Sequence, residues 1–266
     1  MKLRTLIVSL SLLAIMSSVA YAAGNFRQVK PEEFDPGKTF LVQAQWLRGI
    51  GCPTNAKQFD GTTFTTPYTD PACPTGDEGD KHNEGLLLAK TGPTTNDASA
   101  EAQLKEVKGL KLTELGYDIR KPGTDVTDPR GSHCGAGAPR FDVEAKDGSH
   151  FVIGCNSPRP TTQTPGIGWM RLRWGGGGAP LMAFPRGSQT TVDIKGIEVK
   201  RIDIVFDEGQ DTSGGPDIFG VAILDNIDVN GMIVGSHEDR EDHDNDKDNH
   251  KSKHHNRDHA GDAHDD

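Results

Sequence analysis

Three features that define other classes of protein are missing from this sequence. The N-terminal apolar run, Leu6 to Met16, is too short to span a bilayer comfortably, and no later segment is apolar enough to do so. The net charge is −10 without any basic stripe, which argues against nucleic acid or another polyanion as a partner. There is no Gly-x-Ser-x-Gly elbow, no His-Glu-x-x-His and no phosphate-binding loop. We therefore assign no catalytic residue and favour a binding protein over an enzyme.

The N-terminus has the order of a secretory signal. Lys2 and Arg4 precede the apolar run, and Ala20-Tyr21-Ala22 supplies a small-x-small cleavage pattern. No cysteine stands at the cleavage point, so a lipoprotein anchor is not expected. We expect residues 1–22 to be removed and the mature chain to be secreted or periplasmic, without stable insertion in a membrane.

The chain has only four cysteines, Cys52, Cys73, Cys134 and Cys155. An even number in an exported chain predicts two disulfides, for which three pairings exist. We favour Cys52 with Cys73 and Cys134 with Cys155, because the members of each pair lie in one local segment. His133 beside Cys134 also suggests a thiol nucleophile, but a cysteine in a disulfide has no free thiol to attack with.

The rest of the composition favours strands. Glycine and proline number 32 and 16, and few stretches have helical periodicity. Asp147-Gly148, between two alternating runs, predicts a hairpin, and Ser99 to Val107 also suits a short helix. The predicted strands are Thr39 to Leu47, Glu84 to Lys90, Ser99 to Val107, Leu112 to Arg120, Phe141 to Ala145, Phe151 to Ile153, Trp169 to Trp174, Lys200 to Phe206 and Phe219 to Val229. Short strands joined by turns predict an all-β, antiparallel β-sandwich or barrel.

This pattern divides the chain into four parts. Residues 1–22 are the signal, and residues 23–83 are an N-terminal strand and a disulfide-stapled loop packed on the main domain. Residues 84–235 are the β-sandwich. Residues 236–266 form a disordered Asp/His-rich tail, because this segment has almost nothing apolar to bury.

The tail is one candidate metal site. It holds seven of the ten histidines, and His250, His254, His255 and His259 are ligands suited to Zn²⁺ or Ni²⁺. The alternative is a tail that serves only as a charged, solvating segment.

A second candidate site lies on the last long strand. Phe219, Val221, Ile223, Ile227 and Val229 share one phase of a period-2 pattern, and Asp225 falls in that phase where an apolar residue is expected. A carboxylate aimed at a core needs a cation, an arginine or hydrogen-bond donors. The alternative is a bulge that turns the side chain outward, or a carboxylate that accepts backbone N–H bonds.

Two further candidates come from charge and aromatic residues. In the loop that starts at Asp207, the carboxylates of Asp207, Glu208 and Asp211 are able to bind a cation or simply to face solvent. On the strand Trp169 to Trp174, if Trp174 is in the core, then Trp169, Arg171 and Arg173 share the outward phase and form a candidate ligand-binding face for a sugar ring or an acidic glycan.

That face has a second interpretation. Arg171 and Arg173 are also placed to pair with Asp142 and Glu144 across a sheet, while Trp169 packs under a loop.

Three segments carry a family resemblance: Glu84-Gly-Leu-Leu-Leu-Ala-Lys-Thr-Gly-Pro-Thr, His133-Cys-Gly-Ala-Gly-Ala-Pro-Arg-Phe, and Phe206-Asp-Glu-Gly followed by Leu224-Asp-Asn-Ile-Asp-Val-Asn. They resemble a group of largely uncharacterised secreted bacterial proteins, over residues 84–231. The last of these segments is also similar to the final strand of jelly-roll carbohydrate-binding modules. The resemblance implies a jelly-roll-like β-sandwich.

The resemblance also implies a ligand and a cofactor. An Asp on the final strand of such modules often helps to hold a structural calcium, which places that role on Asp225, with Asn83 and Glu84 as partners. We therefore expect a secreted, non-catalytic protein that binds carbohydrate or cell-envelope material. The alternatives are a metal-binding protein acting through its tail and a polysaccharide-degrading enzyme.

Overall fold

A computed structural model describes residues 25–59, 64–92, 98–121, 134, 138–162, 168–207 and 220–237. For residues 57–59 and 64–67 it describes the backbone but not the side chains. The strands are β1 Val29–Phe34, β2 Val42–Arg48, β3 Ala56–Phe59, β4 Phe64–Tyr68, β5 Glu84–Lys90, β6 Ser99–Leu104, β7 Glu114–Arg120, β8 Arg140–Ala145, β9 His150–Gly154, β10 Thr161–Thr162, β11 Met170–Gly175, β12 Met182–Pro185, β13 Val192–Asp193, β14 Val199–Phe206, β15 Gly220–Val229 and β16 Met232–Val234. Over this part of the chain, no helix is long and apolar enough to cross a membrane. The predicted all-β class is confirmed.

The strands form two large antiparallel sheets that face each other. Sheet A has the order β1-β6-β14-β8-β9-β12-β13 and sheet B the order β10-β11-β7-β15-β5-β2. Eight strands pair in a nested order, in which the first along the chain pairs with the last, the second with the second-last, and so on. The pairs are β5 with β15, β6 with β14, β7 with β11 and β8 with β9. This nesting across two sheets is jelly-roll topology. The β-sandwich and its jelly-roll character are therefore confirmed by the strand order itself.

The strands β1 and β2, which precede this set, extend one sheet each. β1 pairs with β6 at the edge of sheet A, and β2 pairs with β5 at the edge of sheet B. Between β2 and β5 the chain leaves the two large sheets, forms the separate hairpin of β3 and β4, and contacts the outward side of sheet B. We call the described part of residues 49–83 the covering loop.

The core lies between the sheets. Its centre is aromatic: the ring centroids of Tyr117 and Phe141 are 5.3 Å apart, and those of Tyr117 and Trp174 are 5.4 Å apart. Leu115, Tyr117 and Ile119 of β7 face this core, as the alternation predicted. A second, smaller apolar cluster lies under the covering loop and contains Cys52, Ala72, Cys73, Trp169 and Ile223.

Both disulfides join the cysteines that we favoured. Cys52 and Cys73 are bonded with Cα atoms 6.1 Å apart, and Cys134 and Cys155 with Cα atoms 5.2 Å apart. Both separations lie in the range usual for disulfides. The first pair closes the covering loop on itself.

The predicted inward phase of β15 is wrong up to Asp225 and correct for Ile227 and Val229 beyond it. The pairing of β15 with β7 shifts register between Asp225 and Asp228, and Asn226 has φ of +47°. This is a bulge, which reverses the inward and outward sides of the strand. Leu224 and Ile227 therefore both reach the core between the sheets, while Asp225 points to the outward side of sheet B. The carboxylate is not aimed at the sandwich core.

Candidate functional site

The outward side of sheet B, which we call the covered face, holds a buried ion pair. Asp118 and Arg171 are directly opposite each other on β7 and β11, with 0% and 4% of each residue exposed. Asp118 Oδ1 accepts from Arg171 Nε at 2.7 Å, and its Oδ2 accepts from Arg171 Nη2 at 2.8 Å. The Arg171 guanidinium also donates to the hydroxyl of Thr75, at 2.8 Å, and to its carbonyl. Arg171 therefore holds the covering loop against the sheet.

Arg173 extends the same network. Its Nε lies 3.1 Å from Asp228 Oδ2, and its Nη1 lies 3.6 Å from Asp118 Oδ1. The expected pairing of Arg171 and Arg173 with Asp142 and Glu144 is wrong, because β8 belongs to sheet A. Neither arginine on the covered face is available to a ligand outside the protein.

The predicted ligand-binding face at Trp169, Arg171 and Arg173 is also wrong as an exposed surface. The three residues do share the outward phase, since Met170, Leu172 and Trp174 are in the main core. However, Trp169 is only 2% exposed and packs with the disulfide Cys52–Cys73 in the smaller cluster. The protein covers this aromatic face with its own loop.

Asp225 pairs with no basic side chain among the described residues. It is 1% exposed, and its two oxygens accept from the backbone N–H groups of Cys52, at 2.6 Å, and Asn226, at 2.5 Å. Burial, and then the negative charge of Asp118, raises the pKa of Asp225 well above its usual value. Such a group is stabilised by a proton or by a bound cation.

The other two residues proposed to hold calcium lie nearby. Asn83 donates from Nδ2 to the Gly51 carbonyl at 3.1 Å, so it positions the covering loop. A β-carbon at Gly51 would collide with the Glu84 carbonyl oxygen and lie 2.9 Å from Asp225 Oδ2, so Gly51 packs closely against both groups. The Glu84 carboxylate accepts instead from Arg48, at 3.3 Å, and from both the backbone and the ring of His237. The Glu84 carbonyl and the Asp225 carboxylate are hard oxygen donors of the kind that calcium prefers.

The remaining metal candidates lie elsewhere. Asp207 makes a bidentate pair with Arg140, both distances being 2.6 Å. Its burial raises the pKa, but the Arg140 hydrogen bonds and charge outweigh this and the net pKa is lowered. Its carboxylate is therefore already neutralised. The other members fall outside the described residues: Glu208, Asp211, His250, His254, His255 and His259.

A cluster of Cys52, Cys73 and Asp118 has the spacing of a metal site. Both sulfurs are in the disulfide and are not thiolates, so they do not bind a metal ion in this state. We assign no site to this cluster.

The outward side of sheet A, which we call the open face, was not singled out from the sequence. Five residues form one straight row across five strands: Gln103 of β6, Asp203 of β14, Asp142 of β8, Val152 of β9 and Phe184 of β12. All five are half-buried, with their side chains on the side away from the core. We call this set the cross-strand row. Adjacent strands are about 4.8 Å apart, so the row is about 19 Å long.

The basic residues around the row are already paired. Arg201 Nε lies 2.5 Å from Asp203 Oδ2, and Arg186 Nη2 lies 2.6 Å from Asp142 Oδ2. The other oxygen, Asp203 Oδ1, is shielded from solvent and has no hydrogen-bond partner in the described structure. Burial raises the pKa of Asp203; the hydrogen bond and charge of Arg201 offset part of this, and the charge of Asp142 adds to it.

The alternation of Arg140 to Ala145 and of Lys200 to Phe206 indicated which side chains point outward. The row was missed because β12 was not predicted, and because sequence does not show that β6, β14 and β8 are adjacent. Register between distant strands is a property of the folded chain.

No family model matches the chain, and no curated protein matches it. Among solved structures, it is similar to the family 11 carbohydrate-binding module of a cellulosomal cellulase of Clostridium thermocellum, with 13% identity, a TM-score of 0.34, and coverage of 80% of this chain and 91% of that chain. A family 11 carbohydrate-binding module from Clostridium thermocellum in complex with a β-1,3-1,4-mixed-linked tetrasaccharide is 14% identical, with a TM-score of 0.35 and coverage of 77% of this chain and 89% of that chain. A β-1,2-glucanase from Parabacteroides distasonis is 11% identical, with a TM-score of 0.29 and coverage of 77% of this chain and 24% of that chain. The jelly-roll assignment rests on the strand order of the two sheets.

Proposed function

We propose that this protein is a non-catalytic carbohydrate-binding protein and that its ligand lies along the cross-strand row of the open face. The observation that carries this proposal is the row itself. It places an amide, two carboxylates and an aromatic ring at strand spacing on one side of a rigid sheet. A sugar ring has hydroxyl groups at its rim and an apolar face of C–H groups, so it needs both kinds of partner.

Asp203 is the central contact. Its Oδ1 has no hydrogen-bond donor in the described structure, and a sugar hydroxyl would supply one if binding exposes this atom, which is shielded from solvent in the unliganded fold. The basic residues beside it, Arg186 and Arg201, are already paired with carboxylates. The unused group is thus an acceptor, which favours a neutral glycan over an acidic one. Phe184, at the other end of the row, offers the stacking surface.

The test is binding of the purified protein to a panel of neutral and acidic oligosaccharides, measured by calorimetry. We expect a neutral glycan to bind, and Asp203→Ala and Phe184→Ala each to weaken it by about tenfold or more. Lys146→Ala is the control, because Lys146 lies in the β8–β9 turn and pairs with Glu198 away from the row. Absence of binding across the panel, or equal affinity in all four proteins, would contradict the proposal.

We also propose a structural calcium at the covered face. The support is the buried Asp225 carboxylate, beside Asp118 and without a basic partner among the described residues, together with the Glu84 carbonyl, which packs against the same residue, Gly51. When bound, calcium would supply the positive charge that Asp225 otherwise lacks and tie the covering loop to β15. Asp225 and the Glu84 carbonyl would hold it, with Asn83 positioning the loop.

We also propose that the protein acts outside the cytoplasm. It is supported by the two disulfides, which persist in oxidising compartments, and by the signal-like order of residues 1–22. Cell-envelope glycans remain among the ligands to be tried.

A further inference from the structure

We propose a second carbohydrate subsite, separate from the cross-strand row, in the loop between β1 and β2, where the ring of Phe40 stacks on a neutral pyranose. This inference rests on the proposed function, because it extends the same ligand past the edge of sheet A. It is carried by the backbone, the exposure and the surroundings of Phe40.

The backbone of Phe40 is in a conformation that bulky residues rarely adopt. Its φ is +58°, in the left-handed region, and Lys38 two residues earlier has φ of +50°. Asp35 holds the loop in this shape. Its carboxylate accepts from the Phe40 N–H at 2.7 Å and from the Thr39 hydroxyl at 3.1 Å, and its carbonyl accepts from the Lys38 N–H at 3.0 Å. The strain is thus maintained by three specific hydrogen bonds.

The result of this geometry is an aromatic ring presented to solvent. Phe40 is 88% exposed, the highest value among the exposed large apolar residues of the described structure. An isolated exposed apolar residue needs no explanation. A phenylalanine that is held in a strained backbone conformation and gains no burial from it does need one, since strained residues concentrate where ligands bind.

A groove of ≈490 Å³ adjoins the ring. This volume is in the range of small-molecule sites. Glu33, Asp35, Gln43 and Thr91 contribute polar groups to its lining, beside Phe40. An aromatic face bordered by carboxylate, amide and hydroxyl groups fits one sugar ring, and two carboxylates against the single basic residue Lys38 disfavour an acidic sugar.

The position of the loop connects this groove to the cross-strand row. β1 is the edge strand of sheet A, and Lys30 of β1 is directly opposite Gln103, the first residue of the row. The loop continues from the end of this same strand at Phe34, which is four residues, or about 13 Å, beyond Lys30 and to one side of the line of the row. A glycan chain long enough to turn along β1 therefore has a second contact available at this edge of the sandwich.

The experiment separates binding from folding by two substitutions at one position. Phe40→Asn removes the ring but suits the left-handed backbone, so we expect an unchanged or higher melting temperature together with affinity reduced by about fivefold or more. Phe40→Trp keeps an aromatic face and should retain the affinity. Val192→Ala is the matched control, because Val192 is an exposed apolar residue, 40% exposed, on β13.

The probes are neutral tetrasaccharides and hexasaccharides with β-1,3, β-1,4 and mixed linkages, measured by calorimetry on the whole protein. Affinity of Phe40→Asn within about twofold of the control would overturn the subsite. If Asp203→Ala abolishes binding while Phe40→Asn does not, only the subsite falls. If no probe binds the unaltered protein, the proposed function fails and the subsite with it.

Discussion

The two outward faces of the sandwich carry the same kinds of side chain in opposite surroundings. On the covered face, Asp118 and Arg171 are almost completely buried beneath the covering loop. On the open face, Asp142 pairs with Arg186, whose side chain is 65% exposed. Alternating charged residues thus identify an outward side of a strand, but they do not show whether the protein or a ligand covers it. The covering loop buries the charged groups of the covered face. On the open face, Asp203 Oδ1 is a hydrogen-bond acceptor for which the described residues supply no donor.

The largest effect that should separate the faces is the loss of a buried ion. Asp118→Ala leaves the Arg171 guanidinium buried without its carboxylate, so we expect a loss of about 3–5 kcal/mol in the free energy of unfolding. Arg186→Ala breaks an ion pair of the open face and should cost less than about 1 kcal/mol, because that arginine is exposed. Urea unfolding of both variants measures the difference, and equal losses would remove the distinction between the faces.

The next effect concerns the covering loop. Replacing Cys52 and Cys73 together by serine opens the loop that this disulfide closes, and we expect a loss of about 3 kcal/mol. Hydrogen exchange should then accelerate more in β11 and β15, which lie under the loop, than in β8 and β14 of the open face. Acceleration that is equal in both sheets would indicate general destabilisation instead.

Calcium should act on the covered face alone. Unfolding in EDTA and in excess calcium should differ by about 2.7 kcal/mol when the ion is at 100 times its Kd, because only the folded state binds it. We expect Asp225→Ala to abolish this difference and Asp142→Ala, on the open face, to preserve it. Identical melting curves of the unaltered protein in the two solutions would exclude the site.

The smallest expected effect is a pH dependence on the open face. Since the pKa of Asp203 is raised in the folded protein, the folded state binds its proton more tightly than the unfolded state does. Its contribution to stability is present below the unfolded value near 3.8 and is lost as the pH rises through the raised pKa. Asp203→Asn should therefore show a smaller fall in stability above pH 4 than the unaltered protein. A parallel pair of stability profiles would contradict this assignment.

Much of the fold follows from the sequence because alternation is a local property. The residues Leu115, Tyr117 and Ile119 were placed in the core by their spacing, and Asp147-Gly148 correctly marked the turn between β8 and β9. Both disulfides followed from the proximity of their cysteines in the chain. Seven strands were missed because each is short or lies at an edge, where the burial pattern is weak: β1, β3, β4, β10, β12, β13 and β16.

The candidate sites were harder to predict because they depend on contacts between distant segments. Because the bulge at Asn226 inserts one extra residue into β15, Asp225 lies on the covered face although Ile227 and Val229 face the core. A period-2 pattern in the sequence does not reveal such an insertion. The outward phase of Trp169 left both a surface position and a position under a loop open, and the structure shows the second, because residues about 100 positions earlier in the chain bury it. Asp203 and Asp142 are adjacent only because β14 pairs with β8.

The most direct test of the open face is an NMR titration of the ¹⁵N-labelled protein with the tightest-binding neutral oligosaccharide of the panel. We predict that the backbone amide signals of Gln103, Asp203, Asp142 and their neighbours shift, while those of residues 49–83 do not. Shifts confined to the covering loop, or no shift with any glycan of the panel, would contradict the assignment of the ligand to the open face.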